Sequence, residues 1–389
     1  MLDHLARILG ALATVPDLAC LVGHRGASIV WREEGEDDAP SEPRGTADHD
    51  RVGDTWAPVP SGANLVQFDY EWRGAGERGL SARHPLHLHP DGGIEGTAAD
   101  RMRVAEGAPL ASAHLIAGLA PLWSGAEHRR RIARILAYIA AGDCYQVNLA
   151  VPFTGRLQGG DHADLAAFLA VLHGSPAPFS ACFRSAGRPT VLSHSPECLL
   201  SIRGEAMHSL PIKGTRRRIA GQEDAQRADL LAHPKDNAEL AMIVDLVRND
   251  LGRHARPGSV RVSDPAVLID LDYVHHRAAR IIATRAAPIA DCFAAAFPAG
   301  SITGAPKIRA MEIIRDLEGR DRGAAYGAFG WIGADAADLA VAIRTASIAG
   351  SEVTFHAGGG IVADSVADSE WQEALAKASG FGRALGASC

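Results

Sequence analysis

The chain has 389 residues, of which 47% are hydrophobic and 22% charged, and this is the composition of a globular protein with an ample buried core. Its net charge of −7 argues against a nucleic-acid partner, since general nucleic-acid binders present a basic surface. No run approaches the roughly 18 apolar residues of a membrane helix, and the N-terminus lacks the basic start of a signal peptide. The six cysteines form no CxxC pair, so we expect reduced thiols in a cytoplasmic protein without a membrane partner.

The first 120 residues are rich in predicted loops. A short helix and a strand near residues 20–23 are followed by residues 32–51, which are polar and charged and predict an exposed, mobile loop. Short alternating segments within residues 64–104 predict antiparallel strands. Since no linker is apparent, we expect residues 1–120 to be the N-terminal part of the same domain as residues 121–389.

Regular elements become easier to recognise after residue 120. Ser124 and Glu127 have the spacing of a capping box at a helix start, and Gly142 is a suitable stop. Further helices are predicted at about 161–173, 221–252, 305–318 and 367–385. Strands are predicted at about 144–153, 179–184, 190–194, 197–203, 206–212, 259–263, 276–284, 326–333, 339–348 and 352–357. Because βαβ units do not alternate regularly, the pattern favours an α+β fold with a large antiparallel sheet system.

Lysine is unusually rare in this chain. Its 39 basic residues include only four lysines, which are Lys213, Lys235, Lys307 and Lys377. Arg keeps its charge permanently, whereas a desolvated Lys can become a neutral amine that acts as a nucleophile or base. Lys213 lies between an apolar Pro-Ile pair and a predicted Gly-Thr turn, so we place the chemistry there, with a lysine retained by chance as the alternative.

Two predicted helices carry acidic residues at helical spacing. Asp236 and Glu239 are three residues apart, and Glu370, Glu373 and Lys377 share one face of the last helix. If the two faces meet, four carboxylates converge and require a cation. A set of oxygen ligands without His or Cys favours Mg²⁺. The alternative is two solvated helix faces.

Further segments could bind a carboxylate. The small residues of 298–307 expose backbone amides before a predicted helix, although an ordinary tight turn explains them equally well. Glycines 358–360 follow a predicted strand and Arg344 lies on the strand before, so amides and a guanidinium could hold a second carboxylate; a flexible hairpin end is the alternative. The adjacent His275 and His276 point to opposite faces of a strand, so at most one faces a given site. These features indicate a small polycarboxylate substrate.

The same segments resemble the chorismate-utilising enzymes, a family that includes anthranilate, aminodeoxychorismate, isochorismate and salicylate synthases. The resemblance runs from about residue 124 to the C-terminus. The motifs that carry it are GDCYQVNLA (142–150), SPE (195–197), PIKGTRRR (211–218), AELAMIVDLVRNDLGR (238–253), VHH (274–276), PAGSITGAPKIRAME (298–312), AIRTA (342–346), AGGGIVADS (357–365) and EWQEALAKA (370–378). The resemblance implies a single domain of two packed, mainly antiparallel sheets flanked by helices.

Two positions select an activity within this family. Isochorismate and salicylate synthases have a lysine base where this chain has Gln146, so activation of water is not expected. Anthranilate synthases have Ala where this chain has Lys213, and the PIKGT form is that of aminodeoxychorismate synthases. The resemblance therefore implies amination of chorismate to 4-amino-4-deoxychorismate for 4-aminobenzoate and folate synthesis. Anthranilate synthesis and a non-catalytic chorismate-binding regulatory subunit are the alternatives.

The resemblance also implies a role for each matching residue. Lys213 would attack chorismate, Glu197 would protonate the departing hydroxyl, and His276 would hydrogen-bond near it. Mg²⁺ would be bound by Glu239 and Glu373, with Asp236 and Glu370 in support. Thr215 would fix the turn beside Lys213. The substrate carboxylates would be held by Thr303, Gly304, Arg344, Gly359, Gly360 and Lys377.

Some family features are absent or displaced. The usual aromatic residue two positions before Gly327 is replaced by Ala325, with Tyr326 next to it, so the pyruvyl-side contact is in question. No LLES-type motif is found, and we do not expect inhibition by tryptophan. Since a nucleophile-elbow Cys and a His-Glu pair are also missing, the resemblance implies ammonia from a separate glutamine amidotransferase subunit or from solution.

Overall fold

The structure, a computed structural model, describes residues 2–13, 15, 17–23, 26–32, 63–71, 78–82, 86–88, 94–95, 116–174, 177–271 and 274–385. Within this part of the chain the strands form two antiparallel sheets. The first sheet has 11 strands: β1 (Asp17–Gly23), β2 (Gly26–Arg32), β5 (Leu86–Leu88), β6 (Ile94–Glu95), β7 (Ile116–Pro121), β8 (Gln146–Leu157), β9 (Phe179–Arg184), β10 (Thr190–Ser195), β16 (Gly304–Ala305), β19 (Thr345–Ala349) and β20 (Glu352–Ile361). Their order is β16-β8-β20-β19-β10-β9-β1-β2-β5-β6, with β7 also paired to β8.

The second sheet has nine strands: β3 (Ala63–Phe68), β4 (Arg78–Ala82), β11 (Cys198–Arg203), β12 (Ala206–Leu210), β13 (Ile212–Arg217), β14 (Arg261–Asp270), β15 (Val274–Thr284), β17 (Ala328–Ile332) and β18 (Ala336–Val341). Their order is β13-β15-β12-β11-β18-β17-β3-β4, with β14 also paired to β15. The two sheets pack face to face through a buried cluster that includes Leu21, Phe183, Phe329 and Trp331.

Eight α-helices occur in the described residues: α1 (Leu2–Ala11), α2 (Gly125–Ala140), α3 (Ala163–Gly174), α4 (Glu223–Ala232), α5 (Pro234–Gly252), α6 (Ile289–Ala296), α7 (Lys307–Glu318) and α8 (Ala367–Ala384). A 3-10 turn, 300–302, lies between α6 and β16. Helices α1, α2, α3, α7 and α8 cover the outer face of the first sheet, and α5 and α6 cover the second. None of the helices in these ranges is long and apolar enough to cross a membrane.

The local sequence explains where helices α2 and α5 begin. The capping box predicted at Ser124 and Glu127 is confirmed, because each side chain accepts from the other's backbone N–H. Helix α5 begins at Pro234, whose missing N–H is no loss at a first helical position. Stacking of Phe355 on Phe381 at 4.3 Å between ring centroids ties β20 to α8, which carries the acidic residues of the last motif.

The predicted α+β fold of antiparallel sheets is confirmed, and the differences are local. The helix predicted over 221–252 is two helices, because His233 has an extended ψ of 118° before Pro234. The strand predicted over 339–348 is β18 and β19, which belong to different sheets and are joined through Arg344 at a φ of 52°. Glycines 358–360 lie inside β20 instead of after a strand, and the predicted Gly-Thr turn is part of strand β13.

The N-terminal residues contribute to both sheets. Strand β1 pairs with β9, and β3 pairs with β17, so these early strands extend sheets built by the rest of the chain. The antiparallel strands predicted within 64–104 are confirmed where they are described, as β3 pairs with β4. The predicted loop at 32–51 lies outside the described residues apart from Arg32, the last residue of β2. The division near residue 120 stays a prediction.

Candidate active site

Lys213 lies on β13, at an irregular point of its pairing with β15. The register shifts between Ile212 and Thr215, and Gly214 between them has a φ of 89°, which side chains other than glycine's disfavour. A Cβ at Gly214 would also lie 2.9 Å from the Leu230 side chain of α4. The bulge therefore requires glycine beside Lys213, whose Nζ donates to the backbone oxygen of Ser301 at 3.5 Å.

The charge environment of Lys213 differs from that of the other three lysines. Desolvation lowers the pKa of Lys213, although the carboxylates of Glu239, Glu197 and Glu373 act in the opposite direction. Within the described residues no carboxylate lies within ion-pair distance of its Nζ. In contrast, the other lysines each have an acidic partner: Lys235 with Glu239 at 3.8 Å, Lys307 with Asp250 at 2.7 Å and Lys377 with Glu373 at 2.7 Å.

Glu197 lies between β10 and β11 and is only 4% exposed. Its backbone N–H donates to Ser195 Oγ at 3.1 Å, and its carbonyl accepts from Val341, so the backbone is fixed to both sides. Burial raises the pKa of Glu197 to about 7, against the opposing effects of Ser301 and Lys213. A carboxyl with this pKa carries a proton that it can donate near neutral pH.

His276 on β15 bridges the strand of Lys213 to Arg344. Its Nδ1 is 2.9 Å from Thr215 Oγ1, and its Nε2 is 3.4 Å from an Arg344 guanidinium nitrogen. Burial, and then the charge of Arg344, lower the pKa of His276 to about 3, so the ring is neutral. Because a guanidinium can only donate, Nε2 is the acceptor and Nδ1 carries the hydrogen. His275 points the other way, to Asp270, which confirms the predicted alternation.

Glu239 of α5 and Glu373 of α8 act on the charge of Lys213, but the acidic residues of the two helices do not form a single tight cluster. Glu370 and Glu373 approach Gly359 together, since a Cβ there would lie 3.4 Å from Glu370 Oε2 and 3.5 Å from Glu373 Oε1. Asp236 instead forms an ion pair with Arg216 at 3.0 Å. Among the described residues, no three His, Cys, Asp or Glu side chains are grouped closely enough to hold a metal ion.

The donor chemistry of Glu239, Glu370 and Glu373 nevertheless fits Mg²⁺. All are carboxylates, and the glycine at 359 leaves room against two of them. Burial and the neighbouring Glu373 raise the pKa of Glu370, while Ser365 donates to it at 2.8 Å. Burial alone would raise the pKa of Glu373, but Lys377, with Lys235 and Lys213, more than offsets it and the pKa is lowered.

Two glycines let β8, β16 and β20 come together around Gln146. A Cβ at Gly304 would lie 2.1 Å from the Gln146 carbonyl oxygen, and one at Gly360 would lie 2.8 Å from Gln146 Cδ. Gln146 is fully buried, and neither its amide nitrogen nor its amide oxygen has a hydrogen-bond partner in the described structure. A buried amide without partners is costly, and in native structures ordered water or a ligand completes its hydrogen bonds.

Other predicted residues have structural contacts of their own. Thr303 is fully buried and its hydroxyl donates to the Ala299 carbonyl at 2.9 Å. Lys377 Nζ also donates to the Gly358 carbonyl at 2.7 Å. Tyr326 is buried at a φ of 64°, with its ring in contact with Arg322 and His356, so these contacts are to the core.

Sequence reasoning missed two features around these residues. Ser301 touches both Lys213 and Glu197, and its only signal was its place in the motif at 298–312. Arg322 and Glu318 form a fully buried ion pair at 2.6 Å, and Arg322 also donates to the carbonyls of Ile302 and Asn148. This pair connects α7 to the segments that carry Thr303 and Gln146, and no periodicity in the sequence identifies it.

A buried acid beside an amine with a lowered pKa, with carboxylates nearby, is typical of an enzyme active site. A sequence profile of the family described as chorismate binding enzyme matches residues 94–383. The chain therefore belongs to the chorismate binding enzyme family.

Individual relatives divide between two activities. Over 256 residues the chain is 44% identical to aminodeoxychorismate synthase component 1 of Klebsiella aerogenes, which covers 64% of this chain and 56% of that protein. It is 41% identical over 255 residues to anthranilate synthase component 1 of Geobacillus stearothermophilus, covering 64% of this chain and 49% of that protein. The chain thus spans about half the length of the curated relatives that it matches.

Solved structures share the fold over nearly the whole chain. MenF, the menaquinone-specific isochorismate synthase from Escherichia coli, has a TM-score of 0.77 at 20% identity, covering 97% of this chain and 90% of its own. Anthranilate synthase component I from Streptococcus pneumoniae has a TM-score of 0.72 at 23% identity, covering 94% and 90%. At these identities the likeness establishes the fold alone.

Proposed function

We propose that this protein is the large subunit of an aminodeoxychorismate synthase, which converts chorismate and ammonia to 4-amino-4-deoxychorismate. The observation that carries the proposal is Lys213. It is the one lysine of the chain without a carboxylate at ion-pair distance in the described structure, and desolvation lowers its pKa. Lys213 would act as a neutral amine beside a protonated Glu197, which is the pair that covalent amination of an allylic alcohol requires.

In the first step, the Lys213 amine forms a bond to C2 of the chorismate ring as the C4–O bond breaks. The Glu197 carboxyl gives its proton to the departing hydroxyl, which leaves as water. The proton is available because burial raises the pKa of Glu197 to about 7. Neutral His276, held by Thr215 and Arg344, would hydrogen-bond near the leaving oxygen.

In the second step, ammonia forms a bond to C4 and the bond between C2 and Lys213 Nζ breaks. The Lys213 nitrogen, a secondary ammonium since the first step, takes the electron pair of the breaking bond and leaves as a neutral primary amine, while the nitrogen added at C4 becomes an ammonium group. The Glu197 carboxylate then recovers a proton from that group, so the enzyme returns to its starting state.

Binding of the substrate carboxylates would use the remaining predicted residues. Arg344, Lys377, Thr303 and the amides at Gly304, Gly359 and Gly360 would supply the donors. Glu239 and Glu373 would bind Mg²⁺, with Glu370 and Asp236 in support. When bound, the ion neutralises the ring carboxylate and draws electron density from the ring.

Ammonia would come from a glutamine amidotransferase subunit. The five cysteines in the described structure are all buried, and burial raises the pKa of Cys144 and Cys292, so none resembles an exposed thiolate nucleophile. The relatives named component 1 are consistent with a two-component enzyme. The product would then require a lyase to give 4-aminobenzoate for folate synthesis.

Anthranilate synthesis is the second candidate, because a relative with that name is 41% identical to this chain. The two reactions are separated by incubating the purified protein with chorismate, Mg²⁺ and ammonium and identifying the product. We expect 4-amino-4-deoxychorismate. Direct formation of fluorescent anthranilate would refute the proposal.

Lys213→Ala provides the matching test of mechanism. We expect loss of amination in this variant, whereas Arg188→Ala, at an exposed position in the turn between β9 and β10, should retain it. Unchanged turnover in Lys213→Ala would overturn the nucleophile assignment without affecting family membership.

A further inference from the structure

Strand β13, which carries Lys213, is held by its sheet on one side only. It pairs with β15, and among the described strands it has no second neighbour in the sheet. The pairing is interrupted at Lys213 and Gly214, because the register resumes only at Thr215. A bulged edge strand is weakly fixed by its own backbone hydrogen bonds, so the position of Lys213 depends on contacts from outside the sheet.

The side chain of Arg216, just beyond the bulge, makes such contacts. Its Nε donates to Asp229 Oδ2 of α4 at 2.5 Å, and one terminal nitrogen donates to the Thr215 carbonyl at 3.1 Å. The other terminal nitrogen forms an ion pair with Asp236 Oδ2 of α5 at 3.0 Å. Every nitrogen of the guanidinium therefore has a partner, and this one side chain joins β13 to two helices.

The two carboxylates that Arg216 joins differ in burial. The side chain of Asp229 is 59% exposed, so solvent screens its ion pair, whereas that of Asp236 is 16% exposed. Asp236 also packs on the bulge itself, since a Cβ at Gly214 would lie 3.2 Å from its Cγ. The half-exposed His233 is the other neighbour of this carboxylate, at 3.4 Å. The contact that reaches the site is therefore the one from Arg216 to Asp236.

Helix α5 connects this contact to the surroundings of Lys213. Asp236 lies in the first turn of α5, and Glu239 follows three residues later on the same face. After desolvation, the Glu239 carboxylate has the largest effect on the pKa of Lys213, so the start of α5 lies close enough to act on the amine. A shift of α5 against β13 would change how Lys213 and Glu239 face each other.

We propose that Arg216, through Asp236, is a positioning residue that holds the first turn of α5 on the bulge of β13 and so fixes the Lys213 amine for attack. The inference rests on the proposed function for the role of Lys213 as the nucleophile. A displacement of about 1 Å at a reacting group can slow a reaction about a hundredfold, so a loosened bulge should be visible in the rate.

The first test follows the reaction of Lys213 with chorismate and Mg²⁺ in the absence of ammonia, by intact-protein mass spectrometry. In Arg216→Met we expect the adduct to form about ten- to hundredfold more slowly at saturating chorismate. The chorismate concentration that gives the half-maximal rate should stay within about twofold of wild type, because substrate binding is not what is lost. A variant that is only less stable would keep the wild-type rate in its folded fraction, and a wild-type rate in Arg216→Met would overturn the proposal.

A double-mutant cycle tests whether Arg216 acts through Asp236. At saturating Mg²⁺, Arg216→Met/Asp236→Asn should be no more than about twofold slower than the slower single variant, because both changes break the same contact. Losses that multiply would show two independent effects and overturn the assignment.

Two matched variants serve as controls. Asp229→Asn removes the exposed partner of the same guanidinium, and Arg217→Met removes the exposed neighbouring arginine of the same strand. Both should keep the wild-type rate, and an equal loss in Arg217→Met would show that the rate follows the charge of β13 instead. If Arg216→Met does not fold, Arg216→Lys takes its place, since an ammonium keeps the charge but lacks the planar fork that joins both carboxylates.

Hydrogen exchange without substrate separates this inference from the proposed function. Arg216→Met should speed amide exchange in peptides that cover β13 and the first turn of α5, whereas Arg217→Met should not. Unchanged exchange in Arg216→Met would overturn the proposed attachment of α5 to β13. A wild-type protein that forms no adduct on Lys213 would refute the proposed function, and the exchange result would then decide the attachment alone.

Discussion

The difference in unfolding free energy between Glu197→Gln and wild type should shift in favour of the variant as the pH rises from 4 to 8. The reason is burial, which raises the pKa of Glu197 from 4.5 to about 7. The native carboxyl keeps its proton over the range in which the unfolded chain releases it, so its contribution to wild-type stability falls as pH rises from about 4.5 to about 7 and is then constant. The amide of the variant does not titrate and avoids this loss.

The size of the effect follows from the same pKa. Each tenfold change in proton affinity corresponds to about 1.4 kcal/mol. The raised pKa of Glu197 should therefore lower the unfolding free energy of wild type at pH 8 by about 3 kcal/mol, and the variant should not show this loss. Urea unfolding followed by tryptophan fluorescence, at a series of pH values between 4 and 8, measures it for both proteins. Glu205→Gln, which removes an exposed carboxylate between β11 and β12, is the control and should give a curve nearly parallel to that of wild type.

A pH-independent difference between wild type and Glu197→Gln would refute this reasoning. So would a wild-type protein that gains stability over Glu197→Gln between pH 5 and pH 7, since that is the sign expected for a carboxyl with a lowered pKa. The same variant should lose amination activity, because an amide cannot supply the proton for the departing hydroxyl.

Two other substitutions test the packing that supports the site. Gly360→Ala places a Cβ 2.8 Å from Gln146 Cδ and should cost about 1–3 kcal/mol of stability together with activity; an unaffected urea midpoint would contradict the close approach. Arg322→Met leaves the buried Glu318 carboxylate unpaired and should cost about 3–5 kcal/mol by the same assay, and a loss below about 1 kcal/mol would show that the pair is not buried in solution.

The sequence was most informative where chemistry and local pattern coincide. Scarcity of lysine singled out Lys213, and its lowered pKa and lack of an acidic partner in the described structure agree with that choice. The helix cap at Ser124 and the shared helix face of Glu370 and Glu373 could also be predicted from the sequence, because both depend on residues three or four apart.

Features that depend on distant pairing could not be predicted in the same way. The strand predicted over 339–348 crosses from one sheet to the other at Arg344, and its hydrophobic pattern is continuous because both halves are buried. Asp250 and Lys307 are 57 positions apart, so their ion pair is set by the packing of α5 against the start of α7. The bulge at Gly214 likewise follows from the register against β15.

The most direct test of the central claim is a search for the covalent intermediate on Lys213. The protein is incubated with chorismate and Mg²⁺ without ammonia, and intact-protein and peptide mass spectrometry are used to find any adduct. We predict an added mass equal to chorismate less one water, located on Lys213 and removed when ammonium is supplied. Turnover with ammonium by a protein that forms no such adduct, or an adduct on another residue, would contradict the claim.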